Sequence, residues 1–558
     1  MPIKKKFFGS QRNIISINST KDEAPKNLVF QLRSKRRMDD AKIRLPSAII
    51  SVSINDPENF EIEDVPLAPS ELREFLGEKL YSSVRFQVND VLEIRILTAL
   101  LKMVRAQEIE IVYRNSYQDE IMAAAEVEML ANLLKKDGRI KVLELPNHQM
   151  GSAAAIALLD AVRSNSRAGG DRDLSLKELN LSNNMIGDEF VEALIHQDNA
   201  GIIKSLEAID LSCNLFSETG LVALSAIFEG ERSGIKTLIF GLNRDAFEEE
   251  GEIFESDVSL DPLFAALRTN RTLKYLEVSR NSIGPQQHGE LLNFLRENCT
   301  LEVLDLKTNL IDADSAVEIF GALIANPNTV LKELYLAEND IMGVGMESLA
   351  QFLRVNRSLR ILDISDNSIN SGDLIRLAEA LQQNNSLKEL DIQRAKIDLN
   401  AANALAQMLK VNHSLTSLGM GVRFSSEGLI PLSEGLAVNN SLKSLNISEN
   451  IIEEEHARIF ANFLKSNTTL RDLDIGSWSE ESEVLVVEAV FISNIVRRAM
   501  GSKEIELIGG LIEVLQERHE ALVSEAREII ERRNMPAAAP RVRDVEELLP
   551  PARRQRLE

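Results

Sequence analysis

The sequence predicts an α/β solenoid, curved like a horseshoe, with parallel strands on its concave face, helices on its convex face and helical caps at both ends. Three observations predict it. The pattern L-x-x-L-x-L-x-x-N returns at intervals of about 28 residues. Each copy opens on apolar residues that alternate, the period of a strand, and continues with apolar residues three and four apart, the period of a helix. No copy is long enough to bury its own apolar edge, so neighbours must stack.

Twelve copies begin at Ile140, Leu176, Leu206, Ile235, Leu273, Leu301, Leu331, Leu359, Leu387, Leu415, Leu442 and Leu470. The clearest read LEVLDLKTN from Leu301, LKELYLAEN from Leu331, LRILDISDN from Leu359 and LKSLNISEN from Leu442. Helical stretches follow, as in SAVEIFGALIAN from Ser315, GMESLAQFLRVN from Gly345 and AANALAQMLKVN from Ala401, where alanine keeps the helix slim against its neighbour. Asn-Ser or Asn-Thr then turns the chain into the next strand. The triplets Asn356-Arg-Ser and Asn467-Thr-Thr fall at this recurring place, so they read as turn chemistry rather than as sugar acceptors. Strands stack about 4.8 Å apart, whereas packed helices need about 8–10 Å, so the strands line the inner side of an arc.

In order along the chain, residues 1–65 form a basic, extended N-terminal segment, with twelve Lys and Arg against four Asp and Glu in the first 44 residues. Residues 66–137 read as a helical N-terminal cap: helices over Ser70–Ser82 and Asp90–Val104, then a degenerate repeat made of the strand-like EIEIVY from Glu108 and a helix over Asp119–Lys136. The twelve repeats occupy 138–478. Within them DAFEEEGEIFESD from Asp245 is an acidic insertion, expected as a surface loop. Residues 479–535 read as a C-terminal cap, with a helix over Val484–Met500 and another over Glu504–Arg533 that spaces Ile508, Leu515, Leu522 and Ile529 seven apart. A Pro-, Arg- and Glu-rich tail, 536–558, is too polar to fold alone.

Residues 140–478 resemble the ribonuclease-inhibitor-like leucine-rich-repeat family. The resemblance implies that the motif asparagine, here Asn184, Asn214, Asn243, Asn281, Asn309, Asn339, Asn367 and Asn450, hydrogen-bonds loop backbone of adjacent repeats. His148, Ala395, Arg423 and Trp478 depart from that pattern, so the ladder is expected to weaken there. Trp478 is expected to make a cap contact. The tail, with Glu546, Glu547 and Leu557, is similar to export signals of effectors that bacteria living inside eukaryotic cells send through type IVB secretion systems.

Composition and motifs narrow the function. A net charge of −23 argues against general nucleic-acid binding. No apolar run approaches the length of a membrane span, and no apolar stretch follows the basic N-terminus, so neither a span nor a Sec signal peptide is expected. Two cysteines, Cys213 and Cys299, fall about three repeats apart, too far for a disulfide, and suit a reducing cytosol. No phosphate loop, H-E-x-x-H pair or C-x-x-C set is present, and the six histidines are scattered, so no catalytic residue, metal or cofactor is expected. A cysteine-dependent ligase domain after the array is excluded, because no cysteine follows Cys299.

Motif positions three, five and seven lie beside the strand leucines and face the inside of the arc. Seven of the twelve residues at position five are acidic, and position three adds more. The expected partner surface comprises Glu144, Asp210, Tyr275, Glu277, Asp305, Glu333, Tyr335, Asp363, Glu389, Asp391 and Asp474. Such a face suits a protein partner with a basic surface, with the two tyrosines as anchors. The reading is thus a monomeric, non-enzymatic interaction scaffold in a cytosol, the cytosol of a host if the tail is an export signal. Two alternatives are a GTPase activator of the nuclear-transport kind, using a loop arginine such as Arg244 or Arg423, and a self-associating structural scaffold.

Overall fold

The structure, a computed structural model, describes residues 28–35, 47–54, 80–88, 105–113 and 122–475 except 168–175, 197–198, 230–232, 242–257, 287, 422–424, 449, 451 and 468, followed by 486, 489–490 and 506–508. Two compact units divide the chain, Met1–Asn281 and Ser282–Glu558.

In the first unit an antiparallel pair, β1 (Leu28–Lys35) and β2 (Ser47–Ile54), leads into a parallel run. That run continues through β3 (Leu80–Val88), β4 (Arg105–Tyr113), β5 (Ile140–Glu144), β6 (Glu178–Asn180), β7 (Ala208–Asp210), β8 (Thr237–Ile239) and β9 (Tyr275–Glu277). The second unit is parallel throughout: β10 (Val303–Asp305), β11 (Glu333–Tyr335), β12 (Ile361–Asp363), β13 (Glu389–Asp391), β14 (Ser417–Gly419), β15 (Ser444–Asn446), β16 (Asp472–Asp474) and β17 (Glu506–Ile508). Each motif places one strand, and helices such as Ala313–Ala325, Val344–Val355 and Leu399–Val411 alternate with them as the periodicity requires. The expected α/β strand–helix stack is therefore present in each unit.

The core of each repeat is built from the motif itself. Leu359, Leu362 and Ile364 are buried beneath Leu374, Leu377 and Leu381 of the following helix, and the other repeats copy this arrangement. Small residues set the helix spacing. A β-carbon on Gly435 would lie 2.8 Å from the Ala406 carbonyl oxygen, so helices Leu399–Val411 and Leu429–Val438 touch at their backbones there.

Two segments differ from expectation. Residues 80–82, expected to end a helix, belong to β3, and residues 506–508, expected inside a helix, form β17 beside β16. Leu80 and Tyr81 pair with Arg105 and Ala106 of β4, inside the run, and at β17 a short stretch takes up the unpaired N–H and C=O groups along the edge of β16. The expected helix over Asp119–Lys136 begins at Ala124 among the described residues. Of the expected helix over Val484–Met500, the described residues Val486, Ala489 and Val490 are helical and buried. The helix expected over Asp90–Val104, the acidic insertion, Trp478 and the tail lie outside the described residues.

The motif asparagine does what the resemblance implies. Asn367 is buried; its Nδ2 donates to the carbonyls of Leu336 (2.7 Å), Ile364 (3.1 Å) and Ser365 (3.1 Å), and its Oδ1 accepts from the Ile341 N–H (3.0 Å). Asn184, Asn214, Asn309 and Asn339 repeat the scheme, and Asn281 and Asn450 donate to loop carbonyls in the same way. Asn243 lies outside the described residues. The residue just before the asparagine adopts a left-handed backbone in repeat after repeat, as at Asn183 (φ 55), Thr308 (φ 52), Glu338 (φ 56) and Asp366 (φ 56); Asn147 (φ 66) and Arg394 (φ 61) do so before His148 and Ala395 as well. That conformation costs a non-glycine residue about 1 kcal/mol or more, and the buried amide, where present, helps to hold the loop.

A second amide ladder runs along the helix ends. Asn384 receives the N–H groups of Ser386 (2.9 Å) and Leu387 (2.9 Å) and donates to the carbonyls of Leu353 (2.7 Å) and Asn356 (3.4 Å) in the preceding repeat. Asn412 and Asn439 do likewise. Asn356 and Asn467 cap the same turn and are buried, so the glycosylation-like triplets serve the turn.

Where the motif departs, the ladder changes. The Ala395 backbone N–H bonds Ile392 O at 3.1 Å, with no side-chain amide to reach the neighbour. At His148 the backbone N–H still donates to Asn184 Oδ1 (3.0 Å) and ring Nδ1 meets Pro146 O (2.8 Å), but the buried Nε2 has no partner. Burial pushes this imidazole down to about 4 from 6.5, so it stays neutral at physiological pH.

Replacing Asn367 by Ala orphans several buried backbone groups and should cost roughly 2–4 kcal/mol, measured by urea denaturation. His148→Asn should stabilise the chain. Because the imidazole is depressed in the fold, its contribution is complete above 6.5 and is lost as pH falls toward about 4. Melting of the variant should therefore lose that component of pH dependence, and an unchanged profile would show that His148 is not the group responsible.

Candidate functional site on the strand-lined face

Successive strands present motif positions three, five and seven on one face, and the structure gives position five a task inside the fold. In β12, Asp363 Oδ1 accepts from Ser365 N (3.1 Å) and Ser365 Oγ (2.7 Å), closing the turn where the strand ends. Asp210 with Ser212, Asp305 with Lys307 and Asp391 with Gln393 make the same turn. Asn180 and Asn446 make it as well, with an amide oxygen in place of the carboxylate. Ile239, Tyr335 and Gly419 hold the same place in β8, β11 and β14, so the turn takes a side-chain acceptor where one is present and needs no charge.

The expected partner-surface residues accordingly differ in access. In the first unit Glu144, Asp210, Tyr275 and Glu277 are all buried. The Tyr275 hydroxyl donates to Glu277 Oε2 (3.2 Å), and Asn180 Nδ2 donates to Asp210 Oδ2 (3.1 Å), so these acids are engaged by their neighbours. In the second unit Asp305 and Tyr335 are buried, Glu333, Asp363, Asp391 and Asp474 are half-buried, and Glu389 is exposed. Asp472, at position three of β16, is exposed too and widens the acidic surface beyond the expected set.

The second unit brings Glu333, Tyr335 and Asp363 together and adds a residue that sequence reasoning passed over. Lys307, at position seven of the first of these repeats, reaches across β11 to place Nζ 2.6 Å from Asp363 Oδ2 and 4.9 Å from the centre of the Tyr335 ring. The Tyr335 hydroxyl donates to Glu333 Oε2 (2.7 Å). Burial and the neighbouring Glu333 raise the phenol well above its ordinary range, so it stays protonated. Lys307 is visible in the motif, but its partners lie one and two repeats further on, and only the stacking register brings them together.

Asp391 is a perturbed carboxylate of this face. Burial pushes it up to about 6, opposed by the Gln393 N–H; Asp363 adds to the rise and Lys307 opposes it. Among the described residues no group of His, Cys, Asp and Glu is arranged to hold a metal ion, and no helix is long and apolar enough to cross a membrane. Neither Cys213 nor Cys299 is in a disulfide. Arg244 and Arg423 lie outside the described residues.

The Leucine Rich repeat family profile matches residues 173–194, 269–286, 328–350 and 355–378, within the strand–helix units just described. These segments of the chain are thus leucine-rich repeats. Its curated relatives include the ribonuclease inhibitor of Mus musculus, 26% identical over 285 residues, which cover 46% of this chain and 56% of that protein. The Sus scrofa ribonuclease inhibitor is 25% identical over 271 residues, covering 42% and 54%. The chain spans about half the length of these relatives. Its repeats are of the ribonuclease-inhibitor-like kind, by period, by the helix after each strand and by these matches. Among solved structures, actin-binding site 2 of leiomodin-1 is 23% identical and aligns over 27% of this chain and 90% of its own, with a TM-score of 0.24, too low to define a common arrangement.

Asp391→Asn retains the turn acceptor and removes the disfavoured charge. Since the carboxyl is raised in the fold, its stabilising contribution is complete below 3.8 and is lost as pH rises through about 6. The variant should therefore be more stable than the parent by up to about 3 kcal/mol at pH 8 and indistinguishable from it below about pH 4. Denaturation at the two pH values measures this.

Proposed function

We propose that this chain is a non-enzymatic, monomeric binding scaffold whose strand-lined face receives a protein partner through a basic surface. One observation carries the reading. In the second unit Glu333, Asp363, Glu389, Asp391, Asp472 and Asp474 stand on β11, β12, β13 and β16, and Lys307 is the one cation among the described residues at motif positions three, five and seven. Since Asn180 and Asn446 close the same turn without a charge, the carboxylates at position five exceed what folding needs. A surplus of one sign on a face without any catalytic constellation suits recognition of the opposite sign, which speeds encounter and selects among partners. The relatives' name, ribonuclease inhibitor, describes proteins that act by binding another protein, which agrees with this reading.

The place of action is proposed to be a cytosol, that of a host if the tail bearing Glu546, Glu547 and Leu557 directs export; those residues lie outside the described ones. Attaching residues 536–558 to a reporter and assaying its delivery by a type IVB system tests that part separately.

Changing Asp305, Asp363 and Asp391 together to Asn should keep the turns and leave the chain folded while weakening binding of a basic partner about tenfold at low salt. The salt dependence of binding should flatten as well. Equal affinity in the triple variant, read by titration calorimetry, would move the site off this face.

A further inference from the structure

The pairing of Lys307 with Asp363 is unusual in what it leaves undone for the fold. It skips β11, while β10, β11 and β12 are already joined in register by their own backbones. The groups that Lys307 touches are fixed without it. Tyr335 is held by its hydroxyl bond to Glu333 and is buried, and Asp363 is held by the Ser365 N–H and hydroxyl on Oδ1, leaving Oδ2 to face the lysine. A ring face with a carboxylate beside it, both preset, is a seat for an ammonium group. Its occupant is held loosely: the Lys307 side chain is 25% exposed and Asp363 is 13% exposed.

We propose that the Tyr335–Asp363 seat recognises a lysine side chain of the partner, and that Lys307 is an internal competitor that fills the seat until the partner's ammonium displaces it. This rests on the basic-partner reading above and adds to it a location, a ligand group and a latch. Displacement moves one ammonium out to water as another enters, so the seat is never left as an unpaired acid. A partially exposed ion pair is weak enough for that exchange, whereas a fully buried one would resist it.

The test uses the full chain and a hexalysine peptide as the basic probe, with K307A and K307S as opening variants and K388A as a control. Lys388 is exposed and lies at motif position two, off the face, so its loss changes net charge equally without touching the seat. Removing the competitor should tighten hexalysine binding about fivefold at low salt, the size expected for a partially exposed pair, while K388A changes it less than about twofold. Binding that appears only in the opened variants supports the latch as well. Binding by the parent with no gain in K307A and K307S, or an equal gain in K388A, overturns the latch and leaves the acidic-face reading intact. Failure of all four proteins to bind overturns both.

A second readout does not depend on the peptide. Lys307 holds Asp391 down, so carbon-13 titration of the Asp391 carboxyl should move above about 6 in K307A. An unmoved titration means that Lys307 does not occupy the seat in solution, and overturns the proposal.

Discussion

Buried asparagine amides are the constraint on which this structure depends. Most of its strands are three residues long, too short to pair all the backbone of a repeat. The loops between strand and helix would otherwise carry N–H and C=O groups into an apolar interior, where each unpaired group costs about 1–3 kcal/mol. The ladder of Asn184, Asn214, Asn309, Asn339 and Asn367 answers this at the top of the strands. The ladder of Asn384, Asn412 and Asn439 answers it at the helix ends. One primary amide both donates and accepts, so a single side chain can join its own loop to the neighbour's. The joined loops then tolerate a left-handed residue in most turns, a strain that no isolated repeat would hold.

The same economy shapes the face proposed for binding. Many strand ends take an acceptor at position five, and either aspartate or asparagine provides it. Choosing aspartate at Asp210, Asp305, Asp363 and Asp391 adds a charge to a group that the turn uses. Where these carboxylates crowd, their mutual repulsion and partial burial act against ionisation, as Asp391 shows, and a cation drawn from the chain itself relieves part of it. Lys307 is thus a measure of the field the face creates: a flexible side chain crosses a whole strand to reach it.

Some of this was legible in the residues. The alternation at Leu362 and Ile364, the three-and-four spacing after it and the motif asparagines announced strands, helices and the first ladder, because each is written within one repeat. The helix-end asparagines read as turn residues, and their second role could not be read, since their acceptors such as Leu353 O and Leu381 O belong to the preceding repeat. Residues 80–82 and 506–508 read as helix because a short apolar stretch fits either period; pairing with β4 decided in favour of β3, and pairing with β16 in favour of β17.

For the site, the list of acids came from position alone, but their access did not. Asp305 is buried and Glu389 is exposed, although they occupy face positions two residues apart in the motif. The sequence by itself determined the repeat, its strand and helix, and the sign of the face, since these depend on local spacing and composition. Only the tertiary structure decided which carboxylates are capped, which are covered and where Lys307 rests, because those outcomes depend on atoms that stacking brings within a few ångströms from repeats far apart in the chain.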